Sequence, residues 1–328
     1  MTADTNGRKN MAYGPETTAE EVVAGKDLSG RTFVVTGSSA GLGAETARVL
    51  AKVGANVVMV ARNAEKNAKV MADIRAQFPN ARLTSYTMDL ADLDSVRKAA
   101  AAILAAHPKI HALINNAGFV GGPRILTAEG AELHFAANHL GPFLFTNLLY
   151  PALKAAAPSR VLILSSNGHR MPGFDIDDLD FSKRAQEYNH WSAYSASKRA
   201  NVLHAVGLAK RLAGTGITAN AVHPGVIRTE VFRDVQPEEE QMVTGWSAAN
   251  GSPIKSIAQG ASTQVWGAIG PELKDVTGTY LEDTQIAKHI PSDVLSAVGV
   301  IEEALDQDTA DRLWEISEKI VGEKFVFA

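Results

Sequence analysis

From Arg31 onward, short β-branched runs alternate with alanine-rich stretches of helical length, and this rhythm limits the chain to a sheet whose strands are joined through helices. The runs are Phe33–Thr36, Asn56–Ala61, Leu83–Met88, Ala112–Asn115, Arg160–Leu164, Ala219–Val222 and Thr279–Leu281. The helical stretches are Leu42–Val53, Glu65–Gln77, Leu93–Ala106, Ala131–Ala156, Ala193–Ala213 and Ile254–Ile269. Strand–helix–strand repetition makes neighbouring strands parallel, because each helix carries the chain back to the edge where the last strand began. Runs such as Val57–Ala61 are apolar at every position, as strands covered on both faces must be. The expected fold is α/β: a doubly wound parallel sheet of about seven strands with helices on both faces.

With 328 residues, 45% of them hydrophobic, the chain can bury a sizeable core, and no linker divides it. A single domain is expected over 28–290. It follows a polar leader, 1–27, in which Thr17–Ala24 can form a short helix. It precedes a C-terminal helical tail, 291–328, helical from Ser292 to about Gly322. The segment 227–252 reads as a substrate loop, because connections this long inside a domain are more often functional than incidental. Its Phe232, Met242 and Trp246 suit an apolar lid.

The formal charge of −4 offers no basic face for nucleic acid. The chain has no cysteine, which removes disulfides, thiolate nucleophiles and cysteine-bound metals. Among nine histidines, His134 and His139 lie five apart, off the i, i+4 spacing of helical zinc ligands, so no metal is expected. No apolar run reaches the roughly 18–20 residues of a membrane span, and Met1–Asn10 is polar. The expectation is a cytoplasmic protein with no membrane anchor.

The chemistry gathers at strand ends. The first strand runs into Thr36-Gly37-Ser38-Ser39-Ala40-Gly41-Leu42-Gly43. Glycines at a strand-to-helix turn let the backbone approach a pyrophosphate, and the following helix offers free N–H groups and the positive end of its dipole. The second strand ends in Arg62-Asn63, where an acid would bind an adenosine ribose. A guanidinium there favours a 2′-phosphate instead, which points to NADP ahead of NAD. Asp89-Leu90 follows the third strand, within reach of an adenine edge, and Asn116-Ala117-Gly118 follows the fourth. The fifth ends in Ser165-Ser166.

Tyr194 and Lys198 are four residues apart and share one helix face. A tyrosine is a poor base at neutral pH unless nearby cations favour its phenolate, which Lys198 and a nicotinamide cation would do. A serine hydroxyl can hold a substrate oxygen while its charge changes. Asn138 is a polar residue in an otherwise apolar helix and suits a relay water.

Together these motifs resemble those of the short-chain dehydrogenase/reductase family, over roughly Asp27–Asp283. The resemblance implies a Rossmann-type fold and an Asn-Ser-Tyr-Lys tetrad, here Asn138, Ser166, Tyr194 and Lys198, with Ser165 as the fallback serine. It implies dinucleotide contacts from Gly37, Ser39, Ala40, Gly41, Leu42, Gly43, Arg62, Asp89, Leu90, Asn116, Ala117, Gly118, Tyr194 and Lys198. Pro224, Gly225, Ile227 and Thr229 match the loop that closes on the nicotinamide. Asp27-Leu28-Ser29-Gly30, Asn138-His139-Leu140-Gly141 and Leu313-Trp314 are similar to retinol-dehydrogenase and WW-domain-oxidoreductase members. Departures are Pro142, where a histidine is usual, Thr284, where a cysteine is common, and Asn63, where aspartate is usual. The implied activity is hydride transfer with NADP (or NAD) on an alcohol, aldehyde or ketone. A C=C reductase and a non-catalytic dinucleotide sensor are the alternatives, and a homo-oligomer stays open.

Overall fold

The computed structural model describes residues 13–327. In chain order the elements are α1 (Ala19–Val23), β1 (Thr32–Thr36), α2 (Gly41–Lys52), β2 (Asn56–Ala61), α3 (Ala64–Gln77), β3 (Arg82–Thr87), α4 (Leu93–Ala106), β4 (Ala112–Asn115) and α5 (Leu133–Phe135). A π-helical turn, Ala136–Leu140, leads into α6 (Gly141–Leu148), α7 (Tyr150–Ala155), β5 (Ser159–Leu164), α8 (His190–Arg211), β6 (Ile217–His223), α9 (Pro237–Ala249) and α10 (Ile257–Ile269). The chain ends with β7 (Tyr280–Glu282), β8 (Gln285–Ile286), β9 (His289–Ile290), β10 (Val300–Ile301) and α11 (Gln307–Val321).

The main sheet has the order β3-β2-β1-β4-β5-β6-β7-β8. It is parallel from β3 to β7, and β8 turns back antiparallel on β7 through Leu281↔Ile286. The sheet therefore has eight strands, one more than the apolar runs suggested. Alternate residues of each inner strand face opposite layers. Phe33, Val35, Val57 and Met59 pack with α1, α2, α3 and α10, whereas Val34, Val58 and Val60 pack with α4, α6, α8 and α11. Edge strand β3 buries only Leu83 fully, so it lacks the continuous apolar run of the inner strands. The order reverses between β1 and β4, and the crevice at the carboxyl ends of these strands is where such sheets hold ligands.

Several expectations are corrected. The stretch 131–156 is not one helix: it passes through a π turn and breaks at Leu149, where Pro151 near the start of α7 cannot continue the hydrogen-bond ladder. The tail is α-helical only over Gln307–Val321, with a 3-10 turn at Glu302–Ala304, and the extended pair β9–β10 spans the expected boundary at 290. Residues 1–12 of the leader lie outside the described residues, and the rest is no loose arm. Thr18 and Glu21 form a reciprocal cap on α1, which buries Ala19, Val22 and Val23. The segment 227–252 is in part helical, as its Pro237-Glu238-Glu239-Glu240 run implies: α9 starts at Pro237, with Gln236 and Glu239 capping it.

Helix α8 is the central strut, buried on nearly every side, with α11 lying along its back. Trp314 packs edge-on to Phe143 at 4.7 Å, the Arg211 guanidinium lies 4.2 Å from the Trp314 ring, and Asp311 binds Lys210 and Arg211 at 2.6 and 2.9 Å.

Candidate active site

The carboxyl ends of β1, β2, β4, β5 and β6 surround a cleft of about 430 Å³. Nearly every residue singled out in the sequence lines it: Gly37, Ser39, Ala40, Gly41, Leu42, Arg62, Asp89, Leu90, Asn116, Ala117, Gly118, Asn138, Ser166, Tyr194, Lys198, Pro224, Gly225, Ile227 and Thr229. Gly43 does not. A Cβ there would lie 2.2 Å from the Gly37 carbonyl oxygen and 2.7 Å from Asn116 Nδ2, so Gly43 lets helix and turn close up behind the cleft.

The glycine turn is built to leave room. Gly37 has φ +68, and its Cβ would lie 2.9 Å from Ala117 Cα. Asn116 Nδ2 donates to the Thr36 carbonyl at 2.8 Å, and the Ala117 N–H donates to Thr36 Oγ1 at 3.0 Å, so the turn is stapled to the end of β4. Helix α2 has no side-chain cap at Ala40, unlike α3, α4 and α11, which Asn63, Asp92 and Asp306 cap. Its first N–H groups therefore face the cleft with no side-chain partner, a donor set that fits a dinucleotide pyrophosphate.

Arg62 lines the same end and is exposed, and among the described residues it has no ion pair or hydrogen bond. Asn63 is spent on capping α3 through the Lys66 N–H. Lys66 also lines the cleft, a residue the sequence reading missed; its ammonium meets Glu230 at 3.1 Å. Asp89 turns its carboxylate onto the Ala91 N–H.

At the other end, Tyr194 and Lys198 stand one turn apart on α8, with Lys198 Nζ 5.5 Å from the phenol ring centre. Nζ donates to the Leu164 carbonyl at 3.1 Å. A Cβ on Gly118 would lie 3.1 Å from Nζ and 3.3 Å from Asn138 Oδ1, so this glycine keeps open the space where both groups meet. Ser166 Oγ accepts the Gly168 N–H at 3.1 Å, and a Cβ on Gly168 would touch both that oxygen and the Tyr194 ring. The Ser165 hydroxyl is instead buried and donates to the Lys198 carbonyl at 2.8 Å, bracing α8. His169, also missed in the sequence, donates from Nδ1 to the Ser166 carbonyl at 2.7 Å; burial lowers its pKa to about 3, so it is a neutral prop.

Burial sets the electrostatics. It pushes the Tyr194 phenol up, and its hydrogen bond with Ser166 pulls only part of the way back. It lowers the Lys198 ammonium to about 8. The sequence expectation joins Lys198 to a nicotinamide cation; in the protein by itself, desolvation of the phenolate outweighs the other influences on Tyr194.

Asn138 sits in the π turn, a local irregularity frequent at functional sites. Its carboxamide is fully buried and engaged. Oδ1 accepts the Phe119 N–H, and Nδ2 donates to the Phe119 carbonyl and to Ser197 Oγ, each at 3.0 Å. The side chain thus clamps main chain. The far wall is apolar: Phe119, Val120, Met171, Trp191, Val231, Phe232 and Val243. Trp191 lies 6.4 Å from Tyr194 and 6.5 Å from Phe232, an aromatic row leading away from the phenol. Met242 and Trp246 do not join it. They lie on the outer face of α9, 69% and 41% exposed, while Val243, Thr244 and Ser247 face inward. Of the expected lid, only Phe232 reaches the cleft.

The pattern of the short chain dehydrogenase family matches residues 31–177 and 181–240. The chain is 38% identical to human retinol dehydrogenase 13 over 300 residues, covering 90% of this chain and 86% of that one. It is 36% identical over 316 residues to the chloroplastic short-chain dehydrogenase TIC 32 A of Brassica napus, covering 94% of each. Among solved structures it is similar to an uncharacterized protein from Mycobacterium paratuberculosis, with TM-score 0.70, 29% identity and 93% and 98% of the two chains covered. It is also similar to a short chain dehydrogenase from Burkholderia cenocepacia in complex with NADP, with TM-score 0.62, 27% identity and 78% and 97% covered.

Proposed function

The chain belongs to the short-chain dehydrogenase family of NAD(P)-using oxidoreductases, and from that premise we propose that it interconverts an alcohol and a carbonyl on apolar small molecules, using NADP(H) in preference to NAD(H). The observation that carries this reading is the convergence of Tyr194, Ser166 and Lys198 at the foot of an apolar, aromatic wall. Hydride chemistry is what a nicotinamide dinucleotide supplies when bound. The glycine turn, the uncapped start of α2 and Arg62 would hold it, and Pro224–Thr229 would cover its reactive end.

The chain's own residues handle the oxygen and the proton. Ser166 positions the substrate oxygen, and Tyr194 exchanges a proton with it. Because burial raises its pKa, Tyr194 rests protonated at neutral pH, the form that donates to a carbonyl. Alcohol oxidation needs the opposite form, and the Lys198 cation beside the ring favours it. Asn138 holds the Phe119 segment and, with Lys198, borders the space at Gly118 suited to a relay water. The apolar wall excludes bulk water from the reacting carbon.

The test is dinucleotide-coupled turnover over a panel of small and bulky alcohols and their carbonyls, with retinol as one bulky member. Absence of turnover across the panel with both dinucleotides would sink the reading. Cofactor choice has its own prediction. Arg62→Asp should lower the preference for NADP(H) over NAD(H) by roughly ten- to a hundred-fold, the equivalent of about 1.5–3 kcal/mol for one charge-assisted contact. Dissociation constants for both dinucleotides measure it, and a wild type that already prefers NAD(H) would show that Arg62 has another role.

A further inference from the structure

Beneath the apolar wall lies a buried acid–imidazole pair that the proposed chemistry does not use. Glu132 and His134 are 0% and 1% exposed. His134 Nε2 lies 3.2 Å from the Gly121 main-chain nitrogen, and Nδ1 lies 2.8 Å from Glu132 Oε1. A main-chain N–H can only donate, so Nε2 must accept. Nδ1 therefore carries the proton and donates to Glu132, which fixes a single neutral tautomer. Glu132 is held in turn: Tyr188 Oη donates to Oε1 at 2.9 Å, and the Phe135 N–H donates to Oε2 at 3.0 Å. Burial alone would raise its carboxyl, but the bonds from His134 and the main chain outweigh this and hold it below its ordinary value.

The pair faces the cleft wall from behind. The Phe119 ring stacks on His134, with centres 4.5 Å apart and planes 19° from parallel. The Phe119 main chain is held on its other side by Asn138, and Gly121 bridges Asp234 of the segment that carries Phe232. A Cβ at Gly121 would lie 2.5 Å from the Asp234 carbonyl, so the two strands of wall are pressed together there. Phe119–Gly121 is thus clamped by Asn138, His134 and Asp234, and His134 is the only one of the three that is itself fixed by a buried carboxylate.

We propose that Glu132, His134 and Tyr188 are positioning residues that set the width of the substrate wall through Phe119 and Gly121, and so select extended apolar alcohols or carbonyls over small ones. This rests on the oxidoreductase reading above. None of the three touches the reacting atoms. Their effect is to hold an aromatic face at a fixed distance from Tyr194, where a misplacement of about 1 Å is enough to cost up to a hundred-fold in rate.

The test combines His134→Phe, which keeps a stacking ring but loses both hydrogen bonds, with His134→Gln, which keeps an acceptor for the Gly121 N–H. Two quantities are read: amide hydrogen exchange over 119–121, and the ratio of kcat/KM for a bulky and a small apolar substrate of the same class. In His134→Phe, exchange over 119–121 should speed up and the bulky-to-small ratio should fall roughly ten- to a hundred-fold through KM, with the dinucleotide Kd unchanged. His134→Gln should restore much of both. Tyr188→Phe, a milder change, should move both in the same direction and serves if His134→Phe does not fold. Unchanged exchange, or faster exchange with an unchanged ratio, overturns the proposal while leaving the oxidoreductase reading intact. A wild type that turns over no member of the panel overturns that reading and the proposal with it.

Discussion

Tyr194→Phe should lower kcat/KM by about a thousand-fold, within the 10²–10⁴ expected of a positioned acid–base group, and leave dinucleotide affinity unchanged within about two-fold. The substitution removes one oxygen and keeps the ring that packs against Trp191 and lies beside Gly168. The phenol oxygen faces the cleft where substrate oxygen would sit, next to Ser166, and most of the dinucleotide's proposed contacts come from the turns that follow the strands, so losing this one oxygen leaves them in place. Steady-state rates with a carbonyl substrate and titration of dinucleotide fluorescence separate the two effects. Near-wild-type turnover would remove Tyr194 from the mechanism.

Lys198→Met should reduce activity by a hundred-fold or more, on the order expected for losing a group that supports proton transfer, yet make the protein more stable at pH 7. Burial lowers the ammonium from 10.5 to about 8. Below about pH 8 the group is charged in both the folded and unfolded chains, and the folded chain carries the full cost of burying it. Between about 8 and 10.5 the folded group loses its proton while the unfolded one keeps it, and that cost fades as pH rises. The cost at neutral pH is about 3 kcal/mol, offset by ~1 kcal/mol from the hydrogen bond to the Leu164 carbonyl. Methionine removes both, so its net gain should be about 2 kcal/mol at pH 7, shrinking towards pH 10. Denaturant unfolding at pH 7 and pH 10 reads it. A variant both inactive and destabilised at pH 7 would mean that the ammonium is better satisfied than its surroundings indicate.

The sequence spoke most clearly where a residue type has few substitutes. Glycines at φ +68 and +52 in the turn after β1, the Tyr194/Lys198 spacing and the apolar inner strands each follow from a local constraint that composition exposes. Elements made by neighbours were hidden. Strand β8 is two exposed residues, too short for any periodicity, and exists because the turn at Asp283 and Thr284, at φ +52 and +57, folds it back onto β7. The π turn at Ala136–Leu140 is a shift in hydrogen-bond register that no residue announces. The apolarity of Met242 and Trp246 suggests cover for a ligand, yet the polar residues Thr244 and Ser247 are the ones turned inward. The spacing of His134 to His139 says nothing of its role, because its partners lie two and thirteen residues before it in the chain.

The seating of α11 along the back of α8 has a consequence for how a cell makes this protein. The helix that carries Tyr194 and Lys198 lies about a hundred residues upstream of the segment that covers it. Trp314, Asp311 and Ser317 close over Phe143, Arg211 and His139 only after almost the whole chain has been synthesised. On the ribosome the earlier strands and helices can assemble as they emerge, but the outer face of α8 stays bare until the last turns arrive. Contacts so distant in sequence form late and slowly. The nascent chain therefore passes through a stage in which Tyr194 and Lys198 are already made but α8 is not yet covered by α11, and partly folded chains of this kind are the ones prone to aggregate. Premature termination between Arg211 and Gln307 would leave α8 permanently without that cover.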